Sequence, residues 1–209
     1  MGSAVTVEGT ARELAALGRR FYLRGWALGT SGNFSVVVAR RPFRLAITAS
    51  GRDKRILRPL DIVIVGEDGR MVGRRNGRPS AETRLHLAIA RVRDASAILH
   101  THSIWSTMLS DLHAEAGGLA IDGYEMLKGL DGVASHEHRE WIPILENDQD
   151  MSRLAGIVAE VLTRNPDTRA FLLRRHGLYT WGKTLADAER HVEILEFLFE
   201  TIGRLRWPL

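Results

Sequence analysis

From Thr10 to Gly25 apolar residues recur every three or four positions. Leu14, Leu17 and Phe21 fall on one stripe, and the run stops at a glycine suited to a helix C-terminus, so the spacing predicts an opening helix. The rhythm then changes. The runs FSVVVA, RLAIT and DIVIV are short and β-branched, with RRPF between the first two and GEDGR after the third, which predicts a meander of antiparallel strands. SAETRLHLAIARVR returns to a helical period, with Leu85, Ile89 and Val92 inward and Ser80 placed to cap. ASAILHTH reads as a strand, SIWSTMLSDL and DQDMSRLAGIVAEVLTR as helices, and RAFLLRRHG as a strand ending at His176 and Gly177. The clearest element is the last. Thr184 is a natural N-cap with Asp187 three residues on, and Leu185, Ala188, Val192, Leu195, Phe199 and Ile202 share one helical face. Between Ala114 and Asn147 no period holds, and irregular segments of that length in a compact domain are commonly functional.

These elements describe one α+β domain over residues 1–209, with no repeat and no linker. No stretch of about 18 apolar residues occurs, so no membrane span is expected. The start, MGSAVTVEGT, lacks a basic region followed by an apolar one, so no secretory signal is expected either. Gly2 and Thr6 fit the loose myristoylation pattern, but no polybasic tract follows and one acyl chain anchors only weakly. Cysteine is absent, which rules out disulfides and thiolate ligands and suits the cytoplasm. Without a secretory route, the NFS tripeptide at Asn33 is an accidental glycosylation match. The net charge is +4, and 26 of the 29 basic residues are arginine. They are scattered, the doublets at 19, 40, 74 and 174 read as solvated surface, and no basic stripe interleaved with aromatics marks a nucleic-acid partner.

Any metal must therefore be held by histidine, carboxylate or water. His100 and His102 are two apart in a predicted strand, so their imidazoles project to one side with Thr101 opposite. That geometry suits a metal clamp and equally suits a hydrogen-bonded pair at a strand end. Among third partners His176 has the best context, closing an apolar run before a glycine that permits close backbone approach. His136 and His138 sit among charges and read as surface, while His86 and His191 lie in helical patterns as ordinary histidines. GTSGN before one strand and TASG after another can present backbone amides with the hydroxyls of Thr30, Ser31, Thr48 and Ser50, and Ser80 adds a hydroxyl at a helix start. Each alone is an ordinary turn. Converging, they would make an anion pocket.

In chain order, GTSGNFSV, ITASGRDK, RPSAETRLH, ILHTHS and RRHGLYTWG resemble the class II aldolase family over nearly the whole length. The resemblance implies a three-layer α/β/α sandwich with a central, mostly antiparallel sheet, one Zn2+ per subunit and assembly as a homotetramer. It implies that His100, His102 and His176 hold the zinc, and that Thr30, Asn33, Ser50, Gly51 and Ser80 surround a sugar-phosphate substrate's phosphate. Glu125, in GYEMLKGL, matches a general acid/base. Ala81 stands where many members have a second serine, so one phosphate contact is missing. Glu82 aligns with a carboxylate the aldolases use, though it could also simply begin a helix, and Glu125 is the preferred catalytic group. GYEMLKGL, NDQDM and RHGLYTWG look like a dehydrating branch, needing no redox cofactor, with Trp105, Tyr124 and Met126 as candidates for an apolar wall. The runner-up is cleavage of a deoxyketose 1-phosphate. A non-catalytic scaffold is a third reading, against which the intact histidines and Glu125 argue.

Overall fold

The computed structural model describes residues 6–73 and 77–207; Gly2 and the arginine doublet at 74 lie outside them. Helix α1, Val7–Leu23, starts before its apolar stripe because the Thr6 hydroxyl accepts from the Gly9 N–H at 3.1 Å. Strands β1 (Asn33–Arg40), β2 (Phe43–Thr48) and β3 (Ile62–Val65) form the expected antiparallel meander. Then follow α2 (Thr83–Val92), β4 (Ala97–Thr101), α3 (Ile104–Leu112), β5 (Gly118–Ile121), β6 (Glu140–Leu145), α4 (Met151–Arg164), β7 (Ala170–Leu173), β8 (Gly177–Gly182) and α5 (Leu185–Arg206). The eight strands form one sheet in the order β3-β2-β1-β4-β8-β7-β6-β5. Every neighbouring pair is antiparallel except β6 with β7.

Helices cover both faces, which gives the three layers. On one face α2 and α4 bury Leu85, Ile89, Leu154 and Val158 against Leu45, Ile47, Ile98 and Phe171. On the other, α1 packs on β1 to β4, while α3 and α5 close over β5 to β8. Each fully buried leucine or isoleucine contributes about 2 kcal/mol through apolar area removed from water. The α5 start is as the sequence predicts. Thr184 and Asp187 form a reciprocal capping box.

The structure corrects three expectations. Helix α2 begins at Thr83 with Glu82 as N-cap, and the Ser80 hydroxyl accepts from the Glu82 N–H at 3.3 Å instead of capping the helix; Val92 turns outward, 36% exposed. RAFLLRRHG is not one strand: β7 stops at Leu173, the chain reverses through residues 174–176 with Arg175 left-handed (φ 55°), and Gly177 opens β8. The segment between Ala114 and Asn147 holds strands β5 and β6 and a 3-10 turn at Glu125–Gly129.

Behind the sheet, the Thr101 hydroxyl donates to Glu196 of α5 at 2.8 Å. Glu196 is buried, and burial raises its carboxyl to about 7 against the pull of the Ser103 and Thr101 hydroxyls. A folded-state value above the unfolded one favours the protonated form. The fold's advantage is therefore complete below about pH 4.5 and is lost as pH rises through about 7, a change of about 3 kcal/mol. Glu196→Gln should flatten this dependence in denaturant melts between pH 5 and 8; an unchanged slope would remove Glu196 as its source.

Candidate active site

Lateral register builds the site. Asn33 lies opposite His100, His100 opposite Tyr179, and Tyr179 opposite Phe171, so one row across β1, β4, β8 and β7 faces the α2/α4 layer. The rings stack. His100 lies 3.9 Å from Tyr179 at 11°, and Tyr179 lies 4.9 Å from Phe171 at 3°. Two residues past His100, just beyond the end of β4, His102 returns to the same side, its N–H held by the Trp26 carbonyl at 2.8 Å. Period-two alternation thus holds, with Thr101 on the opposite face bonded to Glu196.

His176 arrives from the β7–β8 turn, and α3 holds that turn. Ser110 Oγ accepts from the Arg175 N–H at 3.0 Å, Thr107 Oγ1 donates to the His176 carbonyl at 3.2 Å, and Asp111 pairs with both Arg174 and Arg175 at 2.9 Å. Gly177 is required here. A Cβ on it would lie 2.0 Å from the Thr101 carbonyl oxygen and 3.3 Å from the His102 Cα, so only glycine lets the two strands bring their histidines together.

One ring nitrogen from each of His100, His102 and His176 lies within 4.8 Å of the others. His100 Nδ1–H donates to the Leu178 carbonyl at 2.9 Å, leaving the lone pair on Nε2. Burial drives all three rings down, His102 to about 2, and the neighbouring His176 adds to the lowering of His100, so they are neutral and able to ligate. Glu82 Oε1 sits 3.5 Å from His100 Nε2 and 3.2 Å from His176 Nε2. An imidazole lone pair facing a carboxylate oxygen is repulsive unless a cation lies between them. Three imidazole nitrogens and a carboxylate, with no thiolate, fit a divalent ion of the zinc type.

His102, His176 and Glu82 form one wall of a cavity of about 320 Å³, with His100 buried beside them. Thr30, Asn33, Ser50, Gly51 and Ser80 line the same cavity. So does Lys54, which sequence reasoning missed although it closes the quoted ITASGRDK. Its ammonium donates to the Thr30 and Arg52 carbonyls at 3.0 Å each, and burial lowers it to about 8. A buried cation on a wall of hydroxyls and turn amides suits an anion.

Glu125 is not brought to this cavity within its own chain. It stands on the turn whose Leu127 packs under Ile194 and Leu198 of α5, in the layer opposite the His100 row, and its side chain is 73% exposed. Lys128 at 2.7 Å holds its carboxyl below the usual range. Of the candidate wall residues, Trp105 packs against Gly203 of α5, Tyr124 packs on the same cluster, and Met126 is 37% exposed; none lines the cavity of its own chain. His136 is exposed as expected, whereas His138 is half-buried and pairs with the buried Glu140 at 2.8 Å. His191 is a buried structural histidine bonded to the Trp181 carbonyl at 2.8 Å.

A twisted sheet between helical layers, with three histidines and a glutamate beside an anion-suited pocket, defines a metal-dependent class acting on phosphorylated small molecules. The chain belongs to the class II aldolase family, matching the Class II Aldolase and Adducin N-terminal domain over residues 12–202. It is 46% identical over 199 residues to a methylthioribulose-1-phosphate dehydratase of Methylococcus capsulatus, covering 95% of each chain. A dehydratase of the same name from Sorangium cellulosum is 41% identical over 95% of this chain and 93% of that one. An L-fuculose 1-phosphate aldolase structure superposes with a TM-score of 0.78 at 26% identity, covering 98% of this chain and 90% of the other.

Proposed function

We propose that this chain is a hydro-lyase that removes water from 5-methylthio-D-ribulose 1-phosphate to give 5-methylthio-2,3-dioxopentyl 1-phosphate, a step of methionine salvage. The observation that carries the reading is the joining of His102, His176 and Glu82, with the buried His100 beside them, to Thr30, Ser50, Gly51, Ser80 and Lys54 around one cavity. The names of full-length relatives at 41–46% identity support the substrate.

His100, His102 and His176 would hold one Zn2+ per subunit. When bound, the ion would supply a Lewis acid that draws charge from the sugar's oxygens and so would acidify the C3 proton. The hydroxyls, the Gly51 backbone and Lys54 hold the phosphate and so fix the sugar's orientation. Glu125, ionised at neutral pH, takes the C3 proton and returns a proton to the departing C4 hydroxyl. The enol left behind tautomerises to the diketone, and the net loss is one water. Because Glu125 is exposed and lies in the opposite layer of its own chain, it enters the cavity from a second copy within a homotetramer. The cysteine-free composition supports a cytoplasmic setting, and no described helix is long and apolar enough to cross a membrane.

One observation favours cleavage of a deoxyketose 1-phosphate instead: Glu82, not Glu125, is the carboxylate beside the histidines of its own chain. Incubating zinc-loaded protein with the methylthio sugar, and separately with fuculose and rhamnulose 1-phosphates, separates the two by mass spectrometry. Loss of one water from the methylthio sugar alone is expected. Cleavage of a deoxy sugar into two fragments would overturn the dehydratase.

A further inference from the structure

Four polar side chains run in a line toward the histidine cluster, and three of them are buried. Ser35 Oγ lies 2.7 Å from His86 Nδ1, His86 Nε2 bonds the Asn33 side-chain oxygen, and Asn33 Nδ2 bonds Glu82 Oε2. Chemistry fixes the direction of every link. A carboxylate only accepts, so Asn33 turns its NH2 to Glu82 and to Ser80 Oγ at 3.3 Å. Its oxygen then faces His86, which must carry a proton on Nε2. Burial lowers His86 to about 4, so the ring is neutral and its Nδ1 accepts from the Ser35 hydroxyl. All donors point one way, from Ser35 to Glu82.

We propose that His86 is a positioning residue for the reaction, setting through Asn33 the face that Glu82 turns to the histidine cluster. The oxygen and NH2 of an asparagine amide are nearly equal in size, so sterics alone do not fix which one meets the carboxylate. With the His86 donor present, the flipped amide would set NH2 against N–H and oxygen against carboxylate. Without it, the buried Asn33 oxygen has no donor, the amide is held at its NH2 end alone, and Glu82 Oε1 drifts from His100 and His176. Asn33 cannot follow, because its backbone is locked opposite His100 in the sheet. This role rests on the proposed reading only in placing Glu82 at the reacting centre.

The test compares His86→Leu and His86→Gln, alone and in a Glu82→Gln background, by Zn2+ affinity against a competing chelator and by kcat and KM. Leucine should weaken Zn2+ binding and lower kcat by about 10-fold or more, with KM within about 2-fold, as for lost support of a metal site. Glutamine, which can donate to Asn33 and accept from Ser35, should recover most of the loss. In the Glu82→Gln background the leucine change should have little further effect, because an amide tolerates either face of Asn33. Equal losses in both backgrounds would make His86 merely structural and overturn the proposal. Imidazole 15N spectra of the metal-free protein give a substrate-independent arm: His86 as a pure Nε2–H tautomer is expected, retained after Ser35→Ala because the Asn33 oxygen sets it, and an Nδ1–H ring in the parent overturns the relay even if the leucine variant does not fold. Failure of the parent protein to dehydrate the methylthio sugar would remove the substrate assignment and leave these affinity and tautomer results standing.

Discussion

His102→Ala should leave the purified protein with less than about a tenth of a divalent ion per chain and lower turnover by about 1,000-fold or more, since it removes one of the three converging imidazoles that would hold the ion. His102 is the ligand best suited to this test. It is half-buried, lies beyond the end of β4, and is anchored through its backbone N–H to Trp26, so truncation leaves the strand and its pairing in place. His100 would be a poorer choice: its ring is part of the Phe171–Tyr179 stack, and removing it opens a cavity in the core. Elemental analysis with a melt at matched pH checks the outcome. One metal ion per chain retained in folded His102→Ala protein would mean that the cluster is not the metal centre.

Glu125→Gln should lower kcat by about 1,000-fold, within the range of a lost general acid/base, while metal content stays at the parent level. The melting temperature should not move, since the side chain is exposed and its partners Lys128 and His136 are also solvated. A mixing experiment then tests where Glu125 acts. His102→Ala and Glu125→Gln chains should each be inactive alone, but if the glutamate crosses between copies, hybrid assemblies formed from equal amounts should recover about a quarter of parent activity. No recovery in demonstrably mixed assemblies would return Glu125 to its own chain or remove it from the reaction.

The sequence carried most of the framework because its long elements are strongly periodic. The β1–β3 meander is built of short β-branched runs bounded by turns, α5 has a clean stripe and a recognisable cap, and the His100–Thr101–His102 alternation needs only the two-residue repeat of a strand. The strands that escaped notice are short or disguised. Strand β5 is four residues long, β6 carries Pro143 and the buried Glu140, and β8 begins one residue after His176, so the arginine-rich reversal between β7 and β8 looked like a single strand's end. The site was less legible where it depends on pairings between distant segments. His86 looked like an ordinary helical histidine, yet it bonds Ser35 and Asn33, which are 51 and 53 residues away. Lys54 was only a charge in a turn until the chain folded it beneath Thr30. Glu82, weighed as a possible helix start, is both the N-cap of α2 and the carboxylate beside the histidines.

The grip of α3 on the β7–β8 turn carries a kinetic consequence. His176 is held at its carbonyl by Thr107, and through the neighbouring Arg174 and Arg175 by Ser110 and Asp111, all on one helix. Fluctuations that lift α3 should therefore withdraw His176 from the histidine cluster, and an ion held there would leave on the timescale of a local opening rather than of simple bond dissociation. Amide hydrogen exchange in α3 and zinc release to a chelator become two clocks reading the same event.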